Sequence, residues 1–182
     1  SYDEFSIKAR IKRIGESILS FIILILTLPI LLISALLIKI EDKGPIFYSQ
    51  IRNGFEGKQF KIIKLRTMVI DAEKNGIQWA EHSDKRVTKI GKILRKLRID
   101  EIPQLLLVLS GEMSLIGPRP ERPKIDILLR EHIPNYDLRY SIKPGISGWA
   151  QVNYPYGASF EDSKLKLSYD IYYIKNFSIL LD

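Results

Sequence analysis

The chain has 182 residues, enough for one compact domain with its own core, and its 28 Lys+Arg against 21 Asp+Glu leave a formal net charge of +7. That balance favours anionic partners, whether nucleic acid, acidic lipid headgroups or phosphorylated small molecules, and charge alone does not choose among them. With no cysteine, disulfides, thiol catalysis, Cys-ligated zinc and iron–sulfur clusters are excluded; His82 and His132, the two histidines, do not make a histidine-rich metal site.

Beginning at Ser1 and stopping just after Ile179-Leu180-Leu181, the chain reads as a single domain over 1–182, of the kind excised from a longer protein. Ile7, Ile11, Ile14 and Ile18 recur at helical spacing among basic residues, which predicts an interfacial amphipathic lead-in. An uncharged stretch follows over 17–38, close to the ~20 residues that cross a hydrocarbon core as a helix. It is longer than the apolar part of a secretory signal, and no small-residue cleavage site follows it.

A crossing helix, a re-entrant segment and a buried core helix all fit that length. Lys8, Arg10, Lys12 and Arg13 precede the stretch, and Lys39, Lys43, Arg52, Lys58, Lys61, Lys64 and Arg66 follow it. Both flanks are therefore basic, and a simple crossing would put one cluster on the disfavoured side. Pro29, in the middle, offers no N–H to the Ile25 carbonyl and its ring clashes there, while the Thr27 hydroxyl can serve a freed backbone group. A segment over 17–40 that enters, bends at Leu28-Pro29 and returns keeps both flanks on the cytoplasmic side. That hairpin is the expectation taken forward.

Gly44-Pro45 ends the apolar segment, and strands are expected at 46–48 and 60–65, with Asn53-Gly54 and Glu56-Gly57 as turn signals between them. Residues 71–84, with Asn75-Gly76, read as a surface loop. The spacing of Val87, Ile90, Leu94 and Leu97 predicts an amphipathic helix over 85–98 whose other face carries six basic residues. That face can be merely solvated, or turned to headgroups or phosphates; a nucleic-acid role has no accompanying fold signature. Asp100 is a candidate N-cap for a helix through the apolar run 105–109, with Pro103 in its first turn and Gly111 just past its end. The stretch 117–120 is a rigid loop, 124–132 a helix, 143–149 an ordered turn-rich loop, and 161–176 a helix displaying Tyr169, Asp170, Tyr172 and Tyr173. The fold class is α+β and mostly helical, with a re-entrant membrane hairpin, interfacial helices and one small β-hairpin.

No phosphate-binding glycine loop and no dinucleotide fingerprint occur, so a nucleotide must be held by basic side chains, loop amides and metal. Asp100-Glu101 is the strongest catalytic candidate, because a helix start favours the carboxylate form and offers a divalent cation a ligand; adjacent acids at such a place are also ordinary caps. Arg119 between Pro118 and Pro120 has a restricted backbone that can pre-aim its guanidinium at a phosphate, or simply pair it with a local carboxylate. Arg66 and Lys143 are further phosphate-binding options with the same alternative of local pairing, and Asp170 completes the candidate substrate-binding residues. Trp149 can stack on a base or pack in the core or at a membrane interface.

Taken in order, several motifs resemble the bacterial sugar transferase family, the monotopic phosphoglycosyl transferases. They are Gly44-Pro45-Ile46-Phe47-Tyr48-Ser49-Gln50, the stretch 60–68, Leu97-Arg98-Ile99-Asp100-Glu101-Ile102-Pro103-Gln104-Leu105, Gly111-Glu112-Met113-Ser114-Leu115-Ile116-Gly117-Pro118-Arg119-Pro120, the stretch 143–152, and Tyr169-Asp170-Ile171-Tyr172-Tyr173-Ile174-Lys175. The likeness runs from about residue 12 nearly to the end, and long motifs in fixed order are far more specific than any one of them.

The resemblance implies a re-entrant helix bent at a Ser-Pro pair, which here is Leu28-Pro29 without the serine. It implies that Asp100 is a nucleophile and magnesium ligand that takes the sugar phosphate from a UDP-sugar, expels UMP and passes it to polyprenyl (undecaprenyl) phosphate, with Glu101 orienting metal or acceptor. It implies the first membrane step of exopolysaccharide or glycoconjugate assembly, at the cytoplasmic face of a bacterial inner membrane. The expected partners are thus the UDP-sugar, polyprenyl phosphate and membrane lipid, without nucleic acid; a homo-oligomer is left open. The sugar is not legible beyond a lean to UDP-glucose or UDP-galactose. The competing classes are a non-catalytic membrane-surface module and a membrane-tethered nucleic-acid binder.

Overall fold

A computed structural model describes residues 7–74, 84–155, 157, 159–178 and 181–182. It begins with one long helix, α1 (Ile7–Asp42), which contains Pro29. Pro29 leaves the Ile25 carbonyl without its usual helical donor; Thr27 does not serve it, since its hydroxyl donates one turn back to the Ile23 carbonyl at 2.6 Å. The helix is long and apolar enough to cross a membrane, and most of its surface is open.

Its two ends are tied to the same body of protein. Near the start, Glu16 accepts from the Ser114 hydroxyl at 2.6 Å and the Leu115 amide at 3.0 Å. Lys12 reaches the Ile116 carbonyl, the Tyr173 hydroxyl and the Asp182 carboxylate. At the far end, Glu41 accepts from the Lys89 amide at 2.8 Å, and Asp42 takes both ends of the Arg66 guanidinium. Between Ser20 and Ser34 no residue of α1 is buried.

The expected hairpin follows as β1 (Phe47–Asn53) and β2 (Gln59–Leu65), antiparallel, with Phe47 opposite Leu65 and Asn53 opposite Gln59. Its connection uses Glu56 and Gly57 at positive φ, so that the chain reverses in a few residues. Asn75-Gly76 lies outside the described residues.

The amphipathic helix α2 (Lys89–Lys96) is shorter than its apolar spacing suggested. Thr88 stops it at the N-terminal side, its side chain accepting from the Gly91 amide at 2.9 Å, and Val87 instead bridges to Met68. Asp100 is not an N-cap. Arg98 adopts a left-handed conformation, φ 58°, and a 3-10 stretch, Ile99–Gln104, carries Asp100 and Glu101 before α3 (Leu105–Ser110) begins. The turn therefore withdraws Asp100 from capping.

Beyond Gly111, at φ 84°, β3 (Ser114–Ile116) and β4 (Gly145–Ser147) form a two-stranded parallel pair, with α4 (Pro123–His132), α5 (Trp149–Asn153) and α6 (Phe160–Asn176) around them. Among the described residues, three small apolar clusters hold these parts. Ile38 of α1 joins Leu65 and Leu94; Ile62 joins Leu107, Val108 and Met113; Leu129 joins Ile133, Tyr136 and Leu167.

Candidate active site

The hairpin, the 3-10 stretch, the loop after β3 and the α5–α6 region enclose a cleft of about 830 Å³. Asp100, Glu101, Arg66, Arg119 and Asp170 all line it. Lys143 does not; it lines a separate cavity of about 300 Å³ with Lys12, Arg13 and Glu16.

Asp100 is 4% exposed, and its Oδ1 has no hydrogen-bond partner among the described residues. An acceptor left so is costly unless something else meets it. Burial, then the adjacent Glu101 charge, push its carboxyl above the usual range, while Lys64 and Arg95 pull the other way. Glu101 is treated differently. Burial pushes it up as well, but Arg119 donates to its Oε1 at 2.7 Å and the guanidinium's charge and hydrogen bond outweigh burial, holding Glu101 below the usual range.

Arg119 can be aimed because its loop is fixed by backbone. The Gly117 amide donates to Ser147 at 2.9 Å, the Gly145 amide to Pro118 at 3.0 Å, and Asn53 to Glu121 at 2.9 Å. A Cβ on Gly145 would overlap the Gly117 backbone and the Ser147 carbonyl, so glycine is required for this approach. Arg139 donates to the Arg119 carbonyl at 2.8 Å and to the Tyr136 hydroxyl, and pairs with Asp170 at 2.9 Å. Asp170, 2% exposed, thus lies behind the loop; burial raises its carboxyl despite Arg139.

Arg66 spends its guanidinium on Asp42, the Pro45 carbonyl and the Met68 carbonyl, binding the end of α1 to the cleft wall. Trp149 stacks on Tyr172 with ring centroids 5.9 Å apart. Lys64, Arg52, Arg95 and Arg139 belong to the site and were not singled out by sequence reasoning. Arg52 was findable: with Tyr48 and Gln50 it holds the half-buried positions of a strict alternation along β1, and it donates to the Gln50 side chain and the Pro120 carbonyl. Burial, then Arg119, lower the Lys64 amine to about 8.

Among the described residues no group of three or more His, Asp or Glu could hold a metal by itself. Two adjacent carboxylates, one with an unmet oxygen, do suit a hard divalent cation that completes its coordination with phosphate oxygens and water.

The model of the bacterial sugar transferase family matches residues 7–182. A UDP-N-acetylgalactosamine-undecaprenyl-phosphate N-acetylgalactosaminephosphotransferase from Aeromonas hydrophila is 51% identical over 97% of this chain and 42% of its own length. UDP-glucose:undecaprenyl-phosphate glucose-1-phosphate transferases from Klebsiella pneumoniae and Caulobacter vibrioides are 42% and 40% identical, each over 94% of this chain and over 37% and 65% of their own lengths. The chain thus spans well under half of the first two.

Proposed function

The chain belongs to the bacterial sugar transferase family, and from that premise we propose that it transfers a sugar 1-phosphate from a UDP-sugar to undecaprenyl phosphate, with release of UMP. The observation that carries this reading is the buried Asp100, one oxygen unmet, beside a Glu101 held by Arg119 in a cleft lined with cations.

Asp100 attacks the phosphorus that bears the sugar. The bond from that phosphorus to the bridging oxygen breaks, and UMP leaves with the electron pair. An oxygen of polyprenyl phosphate then attacks the same phosphorus, the bond to Asp100 breaks, and the carboxylate is restored. A covalent intermediate lets a water-soluble donor and a lipid acceptor use one site in turn. Lys64, Arg95 and Arg119 oppose the like-charge repulsion between carboxylate and diphosphate. Asp100 and Glu101 would hold a magnesium ion together with donor phosphate oxygens, and its charge would further offset that repulsion.

A water-insoluble acceptor requires a site at the membrane surface, and we take α1 as re-entrant on the cytoplasmic face of the inner membrane. Both its ends are tied to one domain. The stretch free of buried residues is about 13 residues, ~20 Å of helix, short of the ~20 residues that span a bilayer. The reaction is then the first membrane step of exopolysaccharide or glycoconjugate assembly.

The test is UMP release from a panel of UDP-sugars with undecaprenyl phosphate. UDP-N-acetylgalactosamine belongs in the panel because the relative 51% identical is named for it, alongside UDP-glucose and UDP-galactose. Asp100→Asn is expected to abolish release, and EDTA to suppress it. Normal turnover by Asp100→Asn would remove the nucleophile, and insensitivity to EDTA would remove the metal.

A further inference from the structure

We infer that the isoprenoid chain of the acceptor enters the cleft at the end beside α1, across Phe47, Val69 and Ile70, and brings its phosphate past Arg95 to Asp100. This rests on the function proposed above and assigns the two ends of the cleft to different substrates.

Of the described residues lining the cleft, the large apolar side chains most open to solvent are Phe47, Val69 and Ile70, at 56%, 45% and 61% exposure. Phe47 opens β1 five residues after α1 ends, and Val69 and Ile70 follow β2, whose last residue Leu65 pairs with Phe47. Ile70 lies against Gly44, two residues beyond the end of α1, since a Cβ there would come within 2.9 Å of its Cγ1. The strip is held in place: Arg66 donates from its amide to Ile46 at 2.8 Å, Val69 from its amide to Arg86 at 2.9 Å, and the Arg66 guanidinium to the Met68 carbonyl at 3.1 Å. Leu36, Leu37 and Ile40 of α1 are exposed too, so the last turns of the helix also present apolar side chains to their surroundings. Open apolar surface at that place suits a hydrocarbon chain rising from lipid.

Inward from the strip the lining turns cationic. Arg95 donates from Nε to the Thr67 hydroxyl at 2.8 Å, one residue from Met68, and its charge acts on Asp100. A phosphate following the chain meets Arg95 and Lys64 before it meets the carboxylate. Away from the strip the lining includes Tyr154, Ser163 and Lys166, a polar and aromatic surface suited to a nucleotide sugar.

The experiment uses the whole chain in nanodiscs and compares wild type with Val69→Ser/Ile70→Ser. Three readouts are taken: the KM for undecaprenyl phosphate, the KM for geranyl phosphate, and the burst of UMP formed without acceptor. The expected result is a KM for undecaprenyl phosphate raised about tenfold, little change with geranyl phosphate, and a UMP burst of undiminished amplitude, with Val69→Leu/Ile70→Leu close to wild type. An unchanged KM for undecaprenyl phosphate, an equal rise for both acceptors, or loss of the burst in the serine variant would each overturn the route. Absence of UMP from wild type with every donor would instead remove the proposed function, and the route with it.

Discussion

Asp100 and Lys64 are neighbours whose protonation is set by the same enclosed space. Burial and Glu101 raise the Asp100 carboxyl, and burial and Arg119 lower the Lys64 amine to about 8. The Asp100 carboxylate, the proposed nucleophile, is therefore lost on acidification at a higher pH than an ordinary aspartate would require, and the lysine charge is lost above about 8. The rate of the UMP burst should rise with pH through the first titration and fall through the second. In Lys64→Met the acid limb should move up, because burial and Glu101 then act on Asp100 with one opposing charge fewer, and the alkaline limb near 8 should vanish. A pH–rate profile checks both; an alkaline limb that persists belongs to another group. Arg139 makes its three contacts through a planar fork that lysine cannot reproduce. Arg139→Lys should keep the charge beside Asp170 yet slow turnover about tenfold or more, as the Arg119 loop loses its tether. Steady-state kinetics with a melting curve separates this from unfolding.

The elements show what a local pattern can carry. The hairpin was legible because Asn53-Gly54 and Glu56-Gly57 mark a turn between two short strand-like runs, though β1 reaches further than its apolar start. The sequence predicts α6 over 161–176, and in the structure a Ser159–Asp162 capping box starts it at Phe160. The extent of α2 was misjudged because Thr88 ends the helix while the apolar spacing runs on. The β3–β4 pair left no period to read: it is three residues a side and depends on glycine backbones lying against each other. The candidate site divides along the same line. Asp100-Glu101 and the proline-flanked Arg119 are adjacent in sequence to what makes them conspicuous, whereas Lys64, Arg95 and Arg139 join them only through folding. Gly145→Ala is expected to cost about 1–3 kcal/mol by overpacking, read as a lowered melting temperature. Asp42→Asn, which leaves the buried Arg66 with a weaker partner, is expected to cost about 2 kcal/mol and to loosen the start of α2 in hydrogen exchange.

At the scale of the molecule, the long helix and the domain share their supports. Because the chain has no cysteine, single cysteines introduced at Ile7 and Lys43 can be labelled from either side of a vesicle without background. Both are expected to react with an impermeant maleimide from the same side; reaction from opposite sides would exclude re-entry.

The sharing has a practical consequence for anyone wishing to prepare a soluble enzyme. Ile38 and Leu31 pack with Leu65 and Leu94, Asp42 neutralises Arg66, and Glu41 meets the first amides of α2. Cutting away residues 7–42 would strip a wall from the catalytic body as well as its anchor, baring two leucines and stranding an arginine. Such a truncation should precipitate on expression, and solubility is better sought by exchanging outward-facing side chains of the helix while its docked residues stay.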